Sequence, residues 1–63
     1  MNAEQRTQLQ KALDILAEVK EQEQSKVDNT PENLMNSEKY EKMQENVDSL
    51  QEAEDLIQQV MEG

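Results

Sequence analysis

The sequence predicts an all-α fold: an antiparallel two-helix hairpin that assembles into a homo-oligomeric helical bundle. Three observations predict it. A single short segment breaks helical grammar, apolar residues on either side recur at helical spacing, and the chain is too small to close a core alone. The segment is Asp28-Asn29-Thr30-Pro31-Glu32-Asn33, with the only proline among turn-forming residues. Proline cannot sit inside a helix and holds the preceding Thr30 extended. The flanking stretches are rich in Glu, Gln, Lys, Leu, Ala and Met, which favour helix.

The chain reads as one domain, 1–63, with a helix over about 3–27, a turn over about 28–36 and a second helix over about 37–61. In the first helix Leu9, Ala12, Leu13, Leu16 and Val19 fall three and four apart, with Ile15 widening one flank. Thr30 and Pro31 suit the N-cap and first position of a short helical turn over 31–35. Ser37 is expected to cap the second helix, with Glu38 favoured by the helix dipole. That helix carries Tyr40, Met43, Val47, Leu50, Ile57 and Met61, flanked by Ala53, Leu56 and Val60.

At 100° per residue each apolar arc covers roughly 160–200°, more than the narrow seam one hairpin needs. A domain this small also needs a staple or a partner. With no Cys and no His, disulfides and structural zinc are unavailable. Self-assembly is the remaining route, most simply two hairpins in a four-helix bundle, with Leu9, Leu13, Leu16, Val47, Leu50 and Ile57 at its centre.

Composition narrows function as much as fold. Fifteen Asp and Glu against six Lys and Arg give a net charge of -9, which argues against direct binding to nucleic acid or an anionic membrane. No apolar run approaches the roughly 18 residues of a membrane span and the N-terminus is not a signal peptide, so a cytoplasmic protein is expected. The single glycine, Gly63, rules out a phosphate loop and a calcium loop. Ser25, Ser37 and Ser49 have no histidine base, and no catalytic residue, metal ligand or cofactor site is expected.

Polar residues that interrupt the apolar arcs are the candidate site. Lys20, Glu23 and Lys26 fall on the first arc, and Glu54 lies in the middle of the second. A hairpin turning near residue 31 sets Lys20 and Glu23 roughly opposite Met43, Asn46 and Val47. Lys20, Lys39 and Tyr40, with Lys26, would then line a polar pocket near the hairpin tip for a small anionic nucleotide. The plainer reading is that the helix ends splay into solvent, or that Lys20 and Glu23 pair across the seam to set register. Glu54 reads as a buried register-setting group, unless an oligomer brings a cation such as Arg6 against it. Tyr40 suits the edge of the core, its hydroxyl reaching water, or stacking on a ligand ring.

The second helix also bears Glu38, Glu41, Glu45, Asp48, Glu52, Asp55 and Glu62 on the face opposite its apolar arc. Their steps resemble phosphate spacing, so this stripe is a candidate for docking in the basic groove of a DNA- or RNA-binding protein. A soluble amphipathic helix needs such a solvated face in any case.

The segments Pro31-Glu32-Asn33-Leu34, Ser37-Glu38-Lys39-Tyr40-Glu41-Lys42-Met43 and Asp48 to Ile57 resemble small phage and prophage proteins of Gram-positive hosts. No site residue carries over from that resemblance. It implies an accessory or counter-defence factor that occupies a host protein or sequesters a nucleotide signal. The expected protein is therefore non-enzymatic, binds itself, and inhibits or captures a host component. The alternatives are the acidic nucleic-acid mimic and a structural coiled-coil adaptor completed by another protein's helix.

Overall fold

A computed structural model describes residues 1–63 as two long helices folded back on one another, α1 (Ala3–Asp28) and α2 (Glu38–Glu62). The rod they form measures 49 × 15 × 12 Å. The 26 residues of α1 account for about 39 Å of that length at the helical rise of about 1.5 Å per residue.

Each helix starts on a side-chain cap. Asn2 and Gln5 form a reciprocal capping box: the Gln5 N–H donates to Asn2 Oδ1 at 2.8 Å, and the Asn2 N–H donates to Gln5 Oε1 at 3.2 Å. The sequence carries that signal as Asn followed three residues later by Gln. Ser37 caps α2 as expected, accepting from the Tyr40 N–H at 3.1 Å, and its hydroxyl donates back to the Leu34 carbonyl at 2.8 Å.

Between the helices a 3-10 turn spans Glu32–Leu34, inside the 31–35 stretch expected to coil. Its start differs from expectation. Pro31, not Thr30, is the N-cap, and no side chain caps the turn. The Thr30 hydroxyl instead donates to the Lys26 carbonyl at 2.7 Å, and the Asn29 N–H donates to the Ser25 carbonyl at 3.0 Å. Thr30 thus closes the end of α1, supplying a donor to a carbonyl the helix leaves free.

Along the seam the inward residues are Leu9, Leu13, Leu16, Lys20, Glu23 and Val27 on α1, and Tyr40, Met43, Val47, Leu50, Glu54, Ile57 and Met61 on α2. Steps alternate between three and four throughout, a heptad seam. Leu13 and Val27 are the only buried apolar residues, and Glu54 is the only buried charged one. Val19, expected on the seam, stands outside it at 41% exposed. Lys20 takes the inward position because it, and not Val19, continues the alternation from Leu16. No helix is long and apolar enough to cross a membrane.

Candidate functional site

The seam divides the rod into two long flanks, and residues seven apart along each helix share a flank. One flank carries Gln10, Ala17 and Gln24 from α1 with Gln44, Gln51 and Gln58 from α2. Gln24, Val27, Gln44, Val47 and Asp48 line a groove of about 300 Å³ there. Most of the flank's glutamines are engaged along their own helices: Gln10 donates to Asp14 at 3.1 Å, Gln24 to Asp28 at 3.0 Å and Gln51 to Asp55 at 3.1 Å. Gln44 donates to the Tyr40 hydroxyl at 3.2 Å.

The other flank carries Ala12, Val19 and Lys26 from α1, with Lys39, Asn46, Ala53 and Val60 from α2, each seven residues from the next on its helix. Ile15 and Leu56 lie beside them, one step further out. This flank changes character along its length. Far from the turn it is apolar and open, with Ile15 and Leu56 each 61% exposed and Val60 53%. Towards the turn it becomes a groove of about 500 Å³ lined by Glu23, Lys26, Lys39, Lys42, Met43 and Asn46. Three of the chain's five lysines therefore meet in one groove, contributed by the last turn of α1 and the first two turns of α2.

Within that groove the lysines are lightly held. Lys26 stands 3.8 Å from Glu23 and Lys42 stands 3.8 Å from Glu45, both along their own helices, and both lysines are largely exposed. Lys39 has no carboxylate within ion-pair distance. Ion pairs this long and exposed contribute about 0.5 kcal/mol or less.

Lys20 has a different fate. Its ammonium donates to Glu54 Oε2 at 2.9 Å and to Gln51 Oε1 at 2.8 Å, across the seam. The register estimated from the turn position places Lys20 against Met43, Asn46 and Val47; its head group instead lies further from the turn. Side chains lean towards the N-terminus of their own helix. Lys20 thus reaches away from the turn while Glu54 reaches towards it, and the two meet between their backbone levels. The cation opposite Glu54 is Lys20 of the same hairpin rather than Arg6 of another. The second carboxylate oxygen of Glu54, Oε1, is buried with no protein partner.

The expected trio is accordingly parted. Lys39 lines the lysine groove, joined by Lys26 and by Lys42. Lys20 is bound to Glu54 inside the seam. Tyr40 points its hydroxyl to Gln44, on the opposite flank. Lys42, outside the expected pocket, was legible as the residue three after Lys39, on the same side of a helix. The six residues expected at the centre of self-assembly, Leu9, Leu13, Leu16, Val47, Leu50 and Ile57, pack within the hairpin itself, so the apolar side chains left facing outward are others. Glu38, Glu41, Glu45, Asp48, Glu52, Asp55 and Glu62 are all exposed along the outer face of α2. Compared with protein families, curated proteins and solved structures, the chain matches none.

Proposed function

We propose that the protein works by association rather than catalysis. Two hairpins pack side to side through the apolar half of the lysine-bearing flank, forming a four-helix bundle. The assembled bundle then occupies or sequesters another component, in the manner of the small phage accessory proteins that residues 31–57 resemble. One observation carries the assembly: Ile15, Val19, Leu56 and Val60 are exposed together on one side of a rod that buries only two apolar residues.

Their placement suits a second copy. The patch draws equally on α1 and α2, so it can meet itself across a two-fold axis. The apolar half of one of the four long sides of this rod holds roughly an eighth of its 4919 Å² of surface, about 600 Å², somewhat less than the ~800 Å² per partner of a standard stable interface. Burying the exposed half of eight large aliphatic side chains yields on the order of 6–12 kcal/mol. That range overlaps the cost of association, so the self-affinity is weak and the assembled fraction depends on concentration.

Sedimentation equilibrium over a series from micromolar to millimolar concentration tests it, the dimer being sought at the upper end. The wild-type chain is expected at twice its 7.3 kDa mass. The double variant Ile15→Glu, Leu56→Glu is expected to shift to monomer, with lower helicity that does not change with concentration. A wild-type chain that is monomeric and melts cooperatively at a concentration-independent temperature overturns the proposal.

A further inference from the structure

The groove of Lys26, Lys39 and Lys42 has a chemistry the assembly does not use. In a chain with nine more negative than positive charges, half of the six basic residues converge there from both sides of the turn. They come together although like charges repel, and the nearby carboxylates neutralise them poorly. Glu23 is claimed only by Lys26 at 3.8 Å, Glu45 only by Lys42 at 3.8 Å, and Lys39 by none. The glutamine flank is a contrast, since most of its polar side chains already donate within the hairpin.

We infer that this groove binds a small ligand bearing two or more linked phosphates. Its volume of about 500 Å³ lies within the roughly 300–1,000 Å³ of small-molecule sites. Lys39 and Lys42, one helical turn apart, stand on one wall and Lys26 on the other, so a chain of phosphates lies between ammonium groups on both sides. Lysine suits this task, being a flexible point charge with three donors. Asn46 adds an amide donor, and Met43 an adaptable apolar surface for the uncharged part of a nucleotide. Lys26 would exchange its long pairing with Glu23 for a shorter bond to phosphate.

The net negative charge does not forbid this. At 0.1 M salt the Debye length is about 10 Å, so carboxylates at the far end of a 49 Å rod are screened; Glu23 and Glu45 beside the lysines are not, and the three ammonium groups outnumber those two. A single carboxylate or monoanion gains too little from these exposed lysines, which is why linked phosphates are specified. The site is complete in one hairpin and stands whether or not two hairpins associate.

Amide chemical-shift titration of the ¹⁵N-labelled protein with inorganic tripolyphosphate, at 0.1 M NaCl, tests the inference. Saturable shifts are expected at Lys26, Lys39, Lys42, Met43 and Asn46, with affinity at least about tenfold weaker in Lys39→Gln, Lys42→Gln. Both side chains are exposed, so circular dichroism should be unchanged in that variant, and Lys11→Gln should bind as the wild type does. The same shifts with ATP would extend the site to nucleotides. Absence of saturation, shifts centred on Arg6 and Lys11, or equal affinity for citrate would overturn the phosphate assignment. Sedimentation of the same samples reports the assembly separately.

Discussion

Glu54 and Lys20 show what one pair of side chains costs and secures. A charge pair inside a seam with only two buried apolar residues loses solvation that the mutual attraction of the charges only partly returns. Gln51 shares the load by accepting from Lys20 and donating to Asp55. Replacing Lys20 by Met leaves Glu54 buried without a counter-charge and is expected to cost about 2–3 kcal/mol. The double replacement Lys20→Leu, Glu54→Leu is expected to be neutral or stabilising. Urea melts of all three proteins at one fixed concentration check both outcomes, and an unchanged midpoint in Lys20→Met would show that the pair does not form. The interruption by Glu54 was legible in the sequence; its partner was not. Spacing locates backbones, whereas the lean of two long side chains in opposite directions decides which heads meet.

The helices themselves were nearly written in the sequence, because Pro31 and the turn formers around it leave no other place for a break. What spacing alone missed was the phase. Leu9, Ala12, Leu16 and Val19 satisfy steps of three and four as well as Leu9, Leu13, Leu16 and Lys20 do, and an apolar residue is the natural choice. The structure follows the strict alternation and leaves Val19 outside, since a lysine stem packs acceptably when its head finds a carboxylate. Ser37 is the element's decisive start. Ser37→Ala removes the acceptor for the Tyr40 N–H and the hydroxyl that holds the Leu34 carbonyl. A loss of about 1 kcal/mol is expected, seen as a lower thermal midpoint with faster amide exchange over the first turn of α2. Unchanged exchange there would mean that the cap is not formed in solution.

For the whole molecule, charge and apolar surface oppose each other. Each hairpin brings a net charge of -9 to its partner, so like-charge repulsion works against an apolar interface. Added salt screens the repulsion without weakening the burial. Self-association is therefore expected to tighten severalfold between about 20 mM and 500 mM NaCl, measured by sedimentation. Weakening over that range would show that the copies meet through opposite charges rather than through the apolar patch. The candidate site was half legible at this scale. Lys26 and Lys39 could be placed near the tip from the turn position alone. Which flank each residue occupies depends on the phase of both helices together, and that sent Lys20 and Tyr40 elsewhere.

The flank that joins apolar patch to lysine groove is kept in line by positions seven apart: Ala12, Val19 and Lys26 on one arm, Lys39, Asn46, Ala53 and Val60 on the other. Seven residues fall about 20° short of two full helical turns, so the line holds. Loss of a single residue between Val19 and Lys26 would swing everything towards the tip by about 100°, turning Lys26 out of its groove and Val27 out of the seam. Loss of a whole heptad from each arm would restore both. A hairpin of this kind tolerates a change of length only in quanta of seven residues, matched on both arms.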